Sequence, residues 1–339
     1  MRRRVVLVFL GVVALAVWYG GDLLRGRGPG AQREAGRPPL PGGETTLPPG
    51  AEAVSLLGRA LLPIPPADEV RGRAGMALEE ARERLETDPA DPEALLETGR
   101  QLVRLGRYRD AVEAFGRGAA LHPDDPRFPG QRGRVLITLR RLDEAVIDLR
   151  RAAVSSAPSS GGHAEPGDTP EAGGVPASTP SFEVWYHLGL AHYLGGEHEQ
   201  AALALNEALA TSPETGSARA ATFWLASVFR RLGLEERARR SLAAVDLADR
   251  TAESDYRDLL LLYRGELTPE ELGAGAAAAA ASEPLRAYGL GLWHFTEGRR
   301  ERGFALWEGI LSSGQSWSSL GYLAAEAELA RGGNPPAAP

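Results

Sequence analysis

The sequence predicts an all-α solenoid of antiparallel helix pairs. Three observations carry that expectation. From residue 92 onward, apolar residues recur at helical spacing in successive segments. Ala111 and Ala145 sit in matching contexts, Asp110-Ala111-Val112 and Glu144-Ala145-Val146, at positions i and i+34. Gly106, Gly196, Gly233 and Gly298 fall where one helix of a pair would turn into the next. Ala201 and Ala238 continue the series, after one longer step and one similar step. A Ser/Gly/Pro-rich insertion accounts for the longer step.

The chain is expected to begin with a targeting segment over residues 1–24. Met1-Arg2-Arg3-Arg4 precedes an uncharged apolar run from Val5 to Tyr19, and the uncharged stretch continues to Gly21. Its length meets the lower limit for a membrane span, about 17 residues, and exceeds a signal-peptide core of about 7–15. Ala14 and Ala16 offer a small-x-small cleavage site, but Val17, Trp18 and Tyr19 continue the run and suit a membrane interface. An uncleaved anchor is therefore expected over a cleaved signal peptide. The leading arginines would hold the amino terminus in the cytoplasm and place the rest in a bacterial periplasm. The alternative is a cleaved, soluble periplasmic or secreted chain.

Residues 25–74 read as a linker, with Gly28-Pro29-Gly30, Pro38-Pro39 and Pro63-Ile64-Pro65-Pro66 and no apolar period. A flexible stretch of about 40 residues would span roughly 35 Å. The solenoid is expected over residues 75–331, interrupted by a disordered insertion at 155–180 and followed by a disordered tail at 332–339. Residues 74–88 read as a lone second helix.

Within 75–331 the repeats become specific. Residues 92–125 carry Leu95, Gly99, Gly106, Tyr108, Ala111, Phe115, Gly118 and Pro123. Residues 126–159 keep Gly133, Ala145, Leu149 and Ala152 but place Arg140 in the turn. Residues 182–215 give Trp185, Leu188, Gly189, His192, Gly196, Ala201, Leu205, Ala208 and Pro213. Residues 219–250 keep Leu225, Ala226, Phe229, Gly233, Ala238 and Leu242, and residues 284–317 keep Leu290, Gly291, Gly298, Gly303, Trp307 and Ile310. This pattern resembles the tetratricopeptide repeat, W-x2-L-G-x2-Y then A-x3-F then P, with a period of about 34 residues. The resemblance implies a right-handed superhelix of about five to six helix pairs. One pair cannot bury its apolar face alone, so neighbours must stack.

Two stretches depart from the pattern. Asp255–Arg264 reads as a first helix ending at Gly265. Thr268-Pro269-Glu270-Glu271 then reads as a helix start with a Thr cap, continued by the Ala run 276–281. Ser316 to Arg331 reads as the terminal capping helix that a solenoid needs.

Composition removes much chemistry. The 339 residues include no lysine and no cysteine, so all 38 basic residues are arginine against 45 acidic ones. A P-loop lysine, a Schiff base, a thiol nucleophile, a disulfide and a thiolate metal site are excluded. A net charge of −7 argues against nucleic acid as a partner. His187, His192 and His198 are spaced five and six apart, not i and i+4, and read as packing residues rather than metal ligands. His163-Ala164-Glu165 lacks the cysteines of a zinc deaminase. Gly289-Leu290-Gly291 lacks a third glycine, and Gly314-Gln315-Ser316-Trp317-Ser318 fails the nucleophile elbow at its last position. No catalytic residue, cofactor or metal is expected.

The concave face remains as a site. The resemblance implies that first helices line it. The mapped positions are Arg100, Arg104, Arg134, Tyr186, Leu190, Tyr193, Phe223, Ser227, Arg230, Arg231, Tyr288, Leu292 and Phe295. Arginines and aromatic anchors suit an acidic peptide or a carboxyl terminus, although the same arginines would lie on helix faces through composition alone. The Asn residues of the family's carboxylate clamp are absent from these positions. The expected function is a non-catalytic protein–protein interaction scaffold or assembly factor facing the periplasm. Two alternatives stand beside it. One is a chaperone-like holdase for exported clients, as in cytochrome maturation or envelope assembly. The other is an envelope enzyme with an unrecognised site.

Overall fold

The computed structural model describes residues 47–155, 179–212, 215–248, 255–273, 283–312, 314 and 316–332. The anchor at 1–24, most of the insertion at 155–180, the Ala run 276–281 and the tail beyond Gly332 lie outside these residues. Among the described residues no helix is long and apolar enough to cross a membrane.

Fourteen helices follow a short hairpin of β1 (Ala53–Val54) and β2 (Ala60–Leu61) among the described residues. The helices are α1 (Asp68–Thr87), α2 (Pro92–Arg104), α3 (Tyr108–Leu121), α4 (Arg127–Thr138), α5 (Leu142–Ser155), α6 (Pro180–Leu194) and α7 (His198–Ala210). They continue with α8 (Thr215–Arg231), α9 (Glu235–Ala244), α10 (Asp255–Arg264), α11 (Pro269–Gly273), α12 (Pro284–Thr296), α13 (Arg300–Ser312) and α14 (Leu320–Ala330). From α1 to α9 each helix packs on the next, and α12, α13 and α14 pack on one another. The fold is an all-α helical-repeat solenoid.

The helices start where local chemistry dictates. Asp91 Oδ1 accepts from the backbone of Glu93 and Ala94, with Pro92 at the first position of α2. Thr179 caps α6 ahead of Pro180 in the same way. Thr268 and Glu271 form a reciprocal capping box at α11, the Thr cap that the sequence suggests.

One contact sets the five regular pairs. A small residue at position i on the first helix receives a large side chain from position i+16 on the second. Gly99 faces Phe115, Gly133 faces Leu149, Gly189 faces Leu205 and Gly291 faces Trp307. By sequence register Ala226 and Leu242, both buried, take these places in the fourth pair. At position i+7 the chain turns with positive φ. The turn residue is Gly106, Gly196, Gly233 or Gly298, and Arg140 in the second pair, at φ 61°. A non-glycine residue there costs roughly 1–2 kcal/mol.

The repeat also appears on the outer side. Arg117 donates to the carbonyl of Pro89, and Arg151, one repeat on, donates to the carbonyl of Pro123. Arg127 likewise reaches back one repeat, to Glu93 at 2.6 Å.

Two segments depart from expectation. The stretch expected to be linker up to residue 74 is folded from residue 47. Ala51, Ala53, Leu56 and Leu61 are buried, and Trp317 Nε1 donates to the carbonyl of Leu62 at 2.7 Å. Helix α1 begins at Asp68, directly after Pro66 and Ala67. The Pro-rich composition hid this because so small an apolar set gains its burial from distant elements, not from its own period. The second departure is α14. Its residues Leu320 to Glu328 are all buried, so it is enclosed on every side rather than presenting a polar outer face.

Candidate functional site

The expected site residues divide into two groups, apart from Arg230, which lies over the Tyr263 ring, and Arg231, which meets Glu328. Arg100, Arg104 and Arg134 lie on α2 and α4, the first helices of consecutive pairs, and are half-buried. Arg100 and Arg134 occupy equivalent positions, one repeat apart. Arg100 lies 3.8 Å from Glu97, Arg104 donates to Gln101 at 3.5 Å and Arg134 donates to Gln131 at 3.4 Å. Each is thus held by a polar neighbour on its own helix.

The second group is buried inside the fold. Tyr186, Leu190, Tyr193, Phe223, Ser227, Tyr288 and Leu292 are at most 1% exposed, and Phe295 is nearly as covered. These side chains meet one another across pairs. Tyr186 and Tyr256 share a hydroxyl hydrogen bond at 2.8 Å, and Trp224 Nε1 donates to Tyr186 at 3.1 Å. Tyr193 and Tyr288 share another at 2.5 Å. Trp224 stacks on Tyr288, Phe223 packs against Tyr263, and Arg230 lies 4.6 Å over the Tyr263 ring. Ser227 Oγ donates to the carbonyl of Phe223 within its helix. Burial holds the Tyr186, Tyr193, Tyr263 and Tyr288 hydroxyls above their ordinary pKa, so they remain neutral. The aromatic positions therefore form an internal core, completed by Tyr256 and Tyr263 of α10.

Helix α14 closes the same space. Glu326 is fully buried and forms an ion pair with Arg140 at 2.6 Å. The Leu56 backbone N–H of the hairpin also donates to Glu326. Arg140 further donates to the carbonyls of Thr138 and Trp317, and its guanidinium lies 5.3 Å over the Trp317 ring. Two positions on, Glu328 is fully buried between Arg231 at 3.4 Å and Arg331 at 3.1 Å, and accepts from Tyr193 at 3.2 Å. Burial pushes the Glu328 carboxyl up, but Arg331 and Arg231 outweigh it and hold it below the usual range. Arg331 donates to the carbonyl of Leu194 at 2.8 Å. Gly321 allows α14 to lie against the backbone of Pro284 and Leu285.

Sequence reasoning missed Arg140, Glu326 and Glu328. Two signals were present. Arg140 stands where the other pairs have glycine, and Glu326-Ala327-Glu328 interrupts an otherwise apolar helix.

His187, His192 and His198 pack against their neighbours. His187 Nδ1 bonds the carbonyl of Glu183 at 2.7 Å, and burial, aided by Arg134, holds its pKa down at about 4. His192 Nδ1 lies 2.5 Å from Glu197, and burial lowers its pKa. His198 stands edge-on to Tyr193, with its pKa lowered to about 4 by burial and then by Arg331 and Arg231. Among the described residues no group of His, Asp or Glu is placed to hold a metal ion.

Comparison with known proteins finds a repeat family over part of the chain. Residues 96–161 and 177–215 match the family model described as tetratricopeptide repeat. No curated protein matches. Several solved structures are similar at low identity. The crystal structure of MamA is 20% identical, covering 51% of this chain and 86% of that one, with a TM-score of 0.41. The crystal structure of YrrB, described as a TPR protein with an unusual peptide-binding site, is 14% identical. It covers 70% of this chain and 93% of that one, with a TM-score of 0.41. The P58(IPK) TPR domain is 12% identical, covering 77% and 94%, with a TM-score of 0.24.

Proposed function

We propose that this chain, which carries tetratricopeptide repeats over residues 96–161 and 177–215, is a non-catalytic scaffold or assembly factor that binds a protein partner. In this reading residues 1–24 anchor it in a bacterial inner membrane, and the solenoid works in the periplasm. The single observation that carries the binding reading is the face of α2 and α4. There Arg100 and Arg134 repeat at equivalent positions on neighbouring pairs, with Arg104 beside them. Planar guanidinium groups at a repeat spacing suit a ligand with regularly placed carboxylates, which each can bind through two parallel hydrogen bonds. The ligand is thus an acidic extended segment of a partner.

A holdase for unfolded clients would need exposed apolar anchors. The residues that would supply them, Tyr186, Tyr193, Phe223 and Tyr288, are buried in the fold. That supports the folded-partner reading over the chaperone one.

The test is a double charge reversal, Arg100→Glu with Arg134→Glu, assayed against an acidic peptide by fluorescence anisotropy at low salt. Binding should be abolished. Unchanged affinity would overturn the reading. Crosslinking in the native membrane, followed by identification of the captured chain, tests the location and the partner together.

A further inference from the structure

The seat of α14 carries more than a terminal cap requires. A cap covers the last pair, as α14 does through α12 and α13. Yet α14 also sends two fully buried carboxylates to opposite sides. Glu326 and Glu328 are two positions apart, so they point roughly 200° from each other around the helix. One meets Arg140, at the turn of the second pair, and the other meets Arg231, at the end of α8 in the fourth pair. The surrounding helices thus form a channel with one arginine on each wall.

Three features set this seat apart from ordinary core packing. Arg140 holds a left-handed conformation that the other pairs give to glycine, so the chain bears backbone strain to place a guanidinium there. Buried ion pairs are poor sources of stability relative to apolar residues of similar volume, and in some proteins they fix one arrangement over its alternatives. Buried His198 Nε2, beside Tyr193 and the Glu328 cluster, makes no hydrogen bond among the described residues. The seat is thus specific in charge and incompletely satisfied.

We propose that the channel around α14 is a docking site for a partner's helix. That helix would carry two carboxylates two positions apart among small apolar residues, and α14 holds the site until the partner displaces it. The chemistry of the occupant follows from charge complementarity to Arg140 and Arg231. It also follows from Gly321, where a Cβ would meet the backbone of Pro284 and Leu285, and from the small, fully buried Ala324 and Ala325. A helix tethered within the same chain competes at an effective concentration on the order of mM, so a free helix is excluded while α14 is seated. The proposal rests on the reading of this solenoid as a partner-binding scaffold. It concerns a different surface from the Arg100 and Arg134 face, so the acidic-peptide assay can succeed or fail independently.

The test uses the full chain and a labelled peptide of residues 316–332 as the probe. Glu326→Gln with Glu328→Gln weakens the internal helix and leaves Arg140 and Arg231 in place. This variant should bind the native-sequence peptide at least tenfold more tightly than the unaltered chain does. A probe with Gln at both positions should lose that gain. Equal, negligible binding to both chains would overturn the proposal. A dimer that exchanges α14 between copies would assign the channel to a second copy and also overturn it. A second measurement needs no variant. Hydrogen exchange of the unaltered chain should show the amides of α14 opening at least tenfold more often than those of α6. Equal protection of the two helices would mean that α14 leaves only on global unfolding, and the proposal would fail.

Discussion

Replacing Gly189 tests the contact that defines the regular helix pairs. A Cβ at this position would lie 2.6 Å from Leu205 Cγ, 2.9 Å from its Cδ2 and 3.4 Å from its backbone nitrogen. Carbon atoms in contact normally sit about 3.5–4.0 Å apart, so roughly 1 Å of room must be found for the first carbon alone. Leu205 cannot yield it, because its side chain is fully buried and its backbone belongs to α7. Overpacking of this kind costs about 1–3 kcal/mol, and the three further carbons of Gly189→Leu place it at the upper end. Leaving glycine returns up to about 1 kcal/mol of helix propensity, so the net loss is about 2 kcal/mol. Gly72, exposed in α1 with no atom near its would-be Cβ, is the control, and Gly72→Ala should gain about 0.5–1 kcal/mol. In urea, with a slope of about 3 kcal/mol/M, Gly189→Leu should lower the midpoint by roughly 0.7 M while Gly72→Ala raises it. Circular dichroism of the helices reads both. If Gly189→Leu leaves the midpoint unmoved or raises it, residue 189 does not face Leu205 and the i to i+16 register is wrong.

Other consequences are equally concrete. The His187 and His198 pKa values lie at about 4 in the folded chain, below the unfolded value of about 6.5. Between these values the unfolded state binds more protons. Stability is therefore complete above about pH 6.5 and falls on acidification, by up to about 1.4 kcal/mol per pH unit for each histidine. Urea midpoints at pH 7, 6 and 5 should decline in step, and a flat profile would contradict the burial argument. Thr179→Ala removes the α6 cap and the bond from Thr179 to the Thr211 carbonyl, and should cost about 1 kcal/mol by the same assay. Trp317→Ala deletes a side chain 2% exposed that bonds Leu62 and packs edge-on against Tyr108 at 5.3 Å. It should cost about 3–5 kcal/mol and open the 47–66 segment to limited proteolysis, with cleavage near Leu62 as the readout.

The repeat was legible because it is local. Gly99 with Phe115 and Gly189 with Leu205 each sit at i and i+16, close enough for a spacing rule to find them. The irregular pair was also readable from its caps, since Thr268 and Glu271 need only each other. What escaped is non-local. Tyr186 meets Tyr256 across 70 residues, Tyr193 meets Tyr288 across 95, and Arg140 meets Glu326 across 186. No periodicity reports such contacts, so the aromatic positions read as an open groove when they form a core. Arg140 was visible as an exception to the turn rule, but its partner was not.

The junction of Leu56, Arg140 and Glu326 changes how the whole array comes together. A chain of repeats ordinarily behaves as a one-dimensional stack, in which each unit feels only its neighbours and the ends fray first. Here the backbone of Leu56 is bonded to Glu326, 270 residues away. Closing a loop of that size costs about 2 kcal/mol more than closing a single repeat, by the logarithmic scaling of loop entropy. This closure should therefore be the last step of folding, slower than the stacking of the pairs. Once made, it joins the first and last described elements into a ring, so that loosening either end weakens the other.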